Sequence, residues 1–423
     1  FSNVIDMIKN KQTFISALLV AMALGTAWAI RGKFGHEQGA AWAGAVGAIS
    51  VILVAKRTDW YNKVFKIALA AAFGWGLSGM ISYGQIVGYG RASDFMNAYY
   101  GLLMLFVIGV LYGFLGGGLF GLALADSKAF KVKWASLIAE MLAFALLAYG
   151  LLINQLEWLM TPPRSELWAA CLGACIALAC HIIRNKQEGV MRVAVWSAIG
   201  AGMGFAFGNF LQVLGAGSPL KINFWNVMEY SIGFFGGLGM AYGTLTSSWA
   251  QADEQPSKKT NLVPILFTIV FIPFVLWDQS FSAEKLKFLL GLGGTESTVF
   301  LFQLLAIISI VICMVVVFMK YYRSIYNYSD VKYIFLLYLG VYMFLSFLLT
   351  GIYIHPIEQY LYIINVAVIF LLLPSVRNNF EVGGESPRRW LIASVGSILL
   401  IVLFAIVAIS SHGVIHGSNL RFE

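Results

Sequence analysis

The amino-acid sequence predicts an all-α polytopic membrane protein with about thirteen transmembrane helices. Of its 423 residues, 60% are hydrophobic and only 11% are charged, and the mean hydropathy is +0.80, whereas soluble domains carry about a quarter charged residues. Apolar runs of roughly 20 residues, the length that crosses a bilayer, recur along the chain. The lipid bilayer is therefore an expected partner. The net charge of +8 does not indicate a nucleic-acid partner, because the cations lie in short clusters between apolar runs.

Each apolar run predicts one helix, because a backbone amide in hydrocarbon must find its hydrogen-bond partner within its own segment. The predicted spans are residues 13–31, 39–55, 65–86, 97–125, 134–153, 166–183, 190–213, 224–248, 261–277, 297–319, 332–351, 357–375 and 390–410. Ahead of them, Phe1–Lys11 mixes apolar and charged residues and predicts a short interfacial helix. The chain begins at Phe1 without a methionine, so residues can precede it.

The distribution of Lys and Arg predicts the orientation of these spans. With the N-terminus inside, 20 of the 28 cations fall on inner segments and 8 on outer segments, as the positive-inside rule requires. The expected orientation is N-in and C-out. This arrangement is typical of a multi-pass protein of the bacterial inner (plasma) membrane.

An internal duplication divides the predicted helices into units. The segment Trp42–Ala48 aligns with Trp168–Ala174, and at the same offset Val64–Ala68 aligns with Val190–Ala194. Two tandem repeats of four helices have the same orientation, as in parallel-repeat transporters. The predicted units are repeat A (1–126), repeat B (127–250), a cytoplasmic linker (251–260) and a five-helix C-terminal bundle (261–423).

The richest polar stretch joins the first two predicted spans and runs from Arg31 to Gly39, RGKFGHEQG. It can anchor helices at the interface, with the cations reaching head groups, or it can bind a polar ligand. Two triplets, Tyr83-Gly84-Gln85 and Phe207-Gly208-Asn209, resemble its Phe34-Gly35-His36. The candidate substrate-binding residues are Arg31, Lys33, His36, Glu37, Gln85, Asn154 and Asn209.

Two acids lie within predicted spans, Glu140 and Glu229. A carboxylate in lipid must be paired, protonated or exposed to a water-filled cavity, so each is a candidate for proton coupling or for a structural hydrogen bond. The 43 glycines have a similar pair of interpretations: close helix packing, or broken helices around a passage. Residues 84–91 (GQIVGYGR) are the expected break.

Cofactor and metal sites are not indicated. The chain has no phosphate-binding or dinucleotide fingerprint. Its four cysteines lie in apolar runs, and His412 and His416 alone do not make a metal site. We therefore expect no cofactor and no metal.

Three functions are compatible with this pattern. The first is a transporter of a small polar solute, anionic or sugar-derived, with proton coupling as an option. The second is a membrane-embedded transferase for a lipid-linked or envelope glycan substrate, with His36 as general base oriented by Glu37. The third is a non-catalytic subunit that assembles with itself or with other membrane proteins. No catalytic signature is present, so no catalytic residue is assigned and enzymatic activity stays open.

Overall fold

The computed structural model describes residues 11–252, 258–321, 325–351, 354–377, 380 and 387–422. All regular elements in these ranges are helices. Ten of them are long and apolar enough to cross a membrane, which makes the chain an all-helical, multi-pass membrane protein in contact with lipid. The predicted interfacial helix Phe1–Lys11 lies outside the described residues except for Lys11, and the centre of the predicted linker 251–260 does too.

The first part of the chain has ten helices within the described residues. They are α1 (Lys11–Arg31), α2 (His36–Ala55), α3 (Thr58–Tyr61), α4 (Val64–Ser78), α5 (Gly84–Tyr89), α6 (Phe95–Ala125), α7 (Trp134–Tyr149), α8 (Trp168–Arg184), α9 (Glu188–Ala216) and α10 (Phe224–Leu245). A π-helical turn, Gly150–Gln155, extends α7. Three predicted spans are not among the ten: α4 and α8 are apolar but have only 15 and 17 residues, and α10 has 22 residues but is not apolar enough. The predicted total of thirteen spans therefore stays a prediction.

The second part has seven helices within the described residues. They are α11 (Lys258–Ile265), α12 (Ile272–Ser280), α13 (Ala283–Leu290), α14 (Glu296–Tyr321), α15 (Tyr328–Ser346), α16 (Pro356–Leu372) and α17 (Pro387–Ser411). π-helical turns join α11 to α12 (Leu266–Phe271) and extend α15 (Phe347–Gly351). Short 3-10 turns follow α13 (Gly291–Gly293) and α16 (Leu373–Ser375).

Six helices form a closed ring in the order α1, α2, α4, α6, α9, α10, with α10 returning to α1. Glycines let their backbones approach. A Cβ atom on Gly113 of α6 would lie 2.1 Å from the carbonyl oxygen of Ser197 on α9. One on Gly233 of α10 would lie 2.4 Å from that of Leu24 on α1. Because a side chain at either position would push the helices apart, these glycines serve helix packing.

The interior of the ring is filled by an aromatic plug: Trp28, Trp75, Tyr112 and Phe205, from α1, α4, α6 and α9. The Trp28 ring centroid is 5.0 Å from that of Trp75 and 5.8 Å from that of Tyr112, and Tyr112 lies 5.2 Å from Phe205. α1 touches α4 and α6 through these rings although neither is its neighbour in the ring. The four side chains are fully buried.

The remaining helices surround the ring. α7 and α8 pack on each other outside the ring. The predicted duplication makes them equivalent to α1 and α2, which are themselves members of the ring. α12 and α15 pack on α2, and α16 packs on α1. α17 lies elsewhere, on α6 and α9. The division into two repeats and a five-helix C-terminal bundle therefore stays a prediction. In the structure, helices from all three predicted units pack in or around one ring.

The segment after α17 contacts the short helix α5 and the start of the ring helix α6. The backbone amide of Asn419 donates to the carbonyl oxygen of Gly88 in α5 at 3.0 Å. The side chain of Asn97, at the start of α6, donates to the Phe422 carbonyl at 3.0 Å and accepts from the Phe422 amide at 2.9 Å. This tail therefore joins α5 to α6.

Candidate functional site

The predicted span 65–86 is interrupted in the structure. α4 ends at Ser78, residues 79–83 are not helical, and the short helix α5 begins at Gly84. The break lies before the expected segment 84–91. Gly79, its first residue, packs closely on the start of α2, since a Cβ atom there would be 2.5 Å from the His36 carbonyl oxygen. The interruption exposes polar groups of residues 82–85 to a cavity.

That cavity, the outer cavity, has a volume of about 580 Å³ and lies at the end of the ring that is predicted to face outside. Its walls come from the α1–α2 turn, the α4 break, the loop before α8 and the start of α10. The polar side chains lining it include His36, Glu37, Ser82, Tyr83, Gln85, Arg164 and Glu229. Four distant parts of the chain thus contribute to one polar site.

A buried hydrogen-bond network lies against the outer cavity. The guanidinium of Arg31 donates to the Glu229 carboxylate at 2.8 Å and to the Tyr83 hydroxyl at 2.5 Å. The Tyr83 hydroxyl donates in turn to the other Glu229 oxygen at 2.7 Å. The Arg31 and Glu229 side chains are only 1% and 8% exposed. Burial makes this ion pair dependent on both partners, because either charge alone would lack compensation.

His36 completes the network. Its Nδ1 atom lies 2.6 Å from an Arg31 Nη atom, and because arginine only donates, Nδ1 is the acceptor and the neutral ring carries its proton on Nε2. The side chain is exposed and lines the outer cavity. The partner of His36 is therefore Arg31, and not Glu37 as the transferase hypothesis expects.

Below the network, toward the membrane centre, the aromatic plug closes the ring. The Arg31 guanidinium carbon lies 5.3 Å from the Trp28 ring centroid. Among the described residues, the indole nitrogens of Trp28 and Trp75, the Tyr112 hydroxyl and Nε of Arg31 are buried without a hydrogen-bond partner. An unmade hydrogen bond to such a group costs about 1–3 kcal/mol. The ring interior is thus filled by aromatic side chains, which also bring buried polar atoms into it.

Four of the seven predicted binding residues, Arg31, His36, Glu37 and Gln85, lie at the outer cavity or its network. Lys33 points to the C-terminal helices, where its ammonium lies 2.8 Å from the Glu358 carboxylate on α16. His355 lies 3.6 Å from the same carboxylate. Burial lowers the pKa of His355, and Lys33 adds to that shift while Glu358 opposes it.

The remaining predicted residues lie apart from the outer cavity. Asn209 is buried and donates to the Val87 carbonyl at 3.4 Å, so it supports α5. Asn154 is exposed on the π-helical turn after α7. Glu140 pairs with Arg184 of α8. Of the two candidate coupling acids, only Glu229 belongs to the site.

Two residues of the site escaped the sequence reasoning. Tyr83 is part of the Tyr83-Gly84-Gln85 triplet but was not predicted to bind substrate, because tyrosine is common near span ends. Arg164 was an isolated outer cation with no neighbouring motif. Among the described residues there is no group of three or more His, Cys, Asp or Glu that could hold a metal ion.

The fold and the site define a multi-pass helical membrane protein with a polar cavity at one end of a six-helix ring. Residues 186–255, about a sixth of the chain, match the family described as Photosynthesis affected mutant 68. They comprise α9, α10 and the segment that follows. No curated protein and no solved structure matches the chain.

Proposed function

We propose that the chain is a membrane transporter whose substrate places a polar, hydrogen-bonding group in the outer cavity. The observation that carries the proposal is the buried network of Arg31, Tyr83 and Glu229 between a polar cavity and the plugged interior of a helix ring. Ionisable groups at such depth are expensive in a membrane and typically belong to substrate or proton pathways. The unpartnered polar atoms of the plug support a path that continues inward.

The charges of the outer cavity favour an uncharged or zwitterionic substrate group. Arg31 is neutralised by Glu229, and Lys33 is held by Glu358. The remaining charged side chains at the cavity, Glu37 and Arg164, have opposite signs. An anion would meet the Glu37 carboxylate there and a cation would meet the Arg164 guanidinium, so a sugar-like or zwitterionic group is the better match.

Glu229 is the candidate for proton coupling. Its two oxygens are held by Arg31 and Tyr83, so protonation would remove the charge that compensates Arg31. The freed arginine would then need another acceptor, which a substrate group in the outer cavity can supply. Proton binding and substrate binding are thereby linked through one side chain.

The break between α4 and α5 and the aromatic plug supply the elements that would move. Discontinuous helices around a central site are a recurring device of transporters. Trp75, near the end of α4, packs against Gly116 and Gly236, where a Cβ atom would lie 2.5 and 2.9 Å from its ring. A shift of α4 would carry this indole with it and open the ring interior.

Transport can be tested with purified protein in proteoliposomes, with and without a proton gradient. The panel contains labelled sugars, amino acids and head-group-labelled phospholipids. We expect at least one compound to cross faster than in protein-free vesicles. Glu229→Gln should abolish gradient-driven movement while exchange persists, and Glu296→Gln, at a side chain 92% exposed, should behave as wild type. If no compound of the panel crosses faster than in protein-free vesicles, the proposal fails.

A transferase for a lipid-linked substrate is the second candidate, favoured by an apolar groove beside the outer cavity. It predicts a covalently altered lipid product, which transport does not. The bacterial inner membrane stays a prediction for the location. The partial family match supports a thylakoid membrane, and membership of a membrane complex, as alternatives.

A further inference from the structure

A second cavity, the lateral groove, opens on the lipid-facing side of the molecule. It has a volume of about 320 Å³, and its lining is entirely apolar. It lies between α4 on one side and the α7–α8 pair on the other, where the two walls make few contacts with each other. Phe73, Leu77, Leu142, Ala145, Leu146 and Ala170 are among its walls. A hydrocarbon chain, rather than a polar solute, fits this lining.

The lateral groove and the outer cavity meet. Met80, in the break after α4, lines both of them. The loop before α8 also serves both, with Arg164 at the outer cavity and Leu167 at the lateral groove. The apolar site therefore continues directly into the polar one, from the bilayer side of α4 to the end of the ring.

We propose that the substrate is a membrane lipid, with its head group in the outer cavity and one of its hydrocarbon chains in the lateral groove. This rests on the proposed function, in which the outer cavity binds the substrate, and it specifies the substrate class. Because the groove runs along the outside of α4, the hydrocarbon chain of the lipid can stay on the bilayer side while the head group occupies the outer cavity.

The charges of the outer cavity specify the head group. Arg164 offers a guanidinium that matches a phosphate, and Glu37 offers a carboxylate that matches an ammonium group. A zwitterionic phospholipid such as a phosphatidylethanolamine carries both. A phosphatidylglycerol carries the phosphate without the cation and would leave Glu37 unmatched.

The probe is a phosphatidylethanolamine with a photoactivatable diazirine in one acyl chain, incorporated into nanodiscs that contain the full-length protein. We expect cross-links concentrated on groove residues such as Leu142 and Leu146. Ala145→Phe should reduce groove labelling at least about tenfold, since excluding even two methylene groups weakens binding by about that factor. Ala143→Phe adds the same ring at an exposed position of the same helix outside the groove lining and should leave labelling unchanged. Ala170→Phe fills the groove from α8 and serves if Ala145→Phe does not fold.

The head group is tested in two parallel experiments. Labelling of the groove should fall several-fold when the phosphatidylethanolamine probe is used with Arg164→Gln, and also when the phosphatidylglycerol analogue is used with the wild-type protein. The inference is overturned if cross-links spread evenly over lipid-facing positions such as Leu399, 65% exposed on α17. It is also overturned if the control Ala143→Phe reduces labelling as much as Ala145→Phe does, or if the phosphatidylethanolamine and phosphatidylglycerol probes label the groove equally. Movement of free sugars or amino acids that Ala145→Phe leaves unchanged would likewise overturn the lipid assignment, while transport itself would stand.

Discussion

Removing Glu229 should destabilise the protein more than removing any surface acid. Glu229→Leu leaves the buried Arg31 charge without its partner at 2.8 Å, and breaking a buried pair in this way costs about 3–5 kcal/mol. Tyr83→Phe should cost about 1–3 kcal/mol, because its hydroxyl accepts from Arg31 and donates to Glu229. Replacing both charges, as Arg31→Met with Glu229→Leu, should recover most of the loss, since no uncompensated charge remains.

The free energy of unfolding can be measured by reversible unfolding in mixed detergent micelles with increasing dodecyl sulfate, followed by circular dichroism. Glu296→Gln, at a highly exposed side chain, is the matched control and should stay within about 0.5 kcal/mol of wild type. The reasoning is refuted if Glu229→Leu loses less than about 1 kcal/mol. It is also refuted if the double variant is no more stable than Glu229→Leu alone.

Three further predictions concern packing, the tail and pH. Gly113→Ala should destabilise the protein by about 1–3 kcal/mol, because its Cβ would lie 2.1 Å from a carbonyl on α9, whereas Gly396→Ala, with nothing within 4 Å, should not; equal midpoints of thermal unfolding would contradict this. Asn97→Ala removes the side-chain hydrogen bonds to both backbone groups of Phe422, so amide hydrogen exchange at Phe422 should rise, and unchanged exchange would speak against it. Burial lowers the pKa of Lys63 to about 8, so the unfolded chain binds more protons between about pH 8 and 10 and stability should rise with pH there. Lys63→Met should flatten that rise, and a variant with the wild-type slope would exclude Lys63 as its source.

The fold class follows from local sequence properties. An apolar run of about 20 residues in lipid has no alternative to a helix, and helices cover most of every predicted span. The position of the site is also local in origin: the RGKFGHEQG turn concentrates polar groups between two spans, and Arg31, His36 and Glu37 do lie at the outer cavity or its network. Burial in a membrane constrains each of these segments independently of the rest of the chain.

Partnerships across the chain were decided by the tertiary structure. Arg31 and Lys33 are two residues apart, yet one pairs with Glu229 of α10 and the other with Glu358 of α16. Asn209 repeats the triplet pattern of His36, yet it supports α5 from within the core. Hydropathy and charge give each helix a depth and a direction in the bilayer. They do not give its neighbours, because the ring depends on where glycines allow close approach between helices distant in sequence.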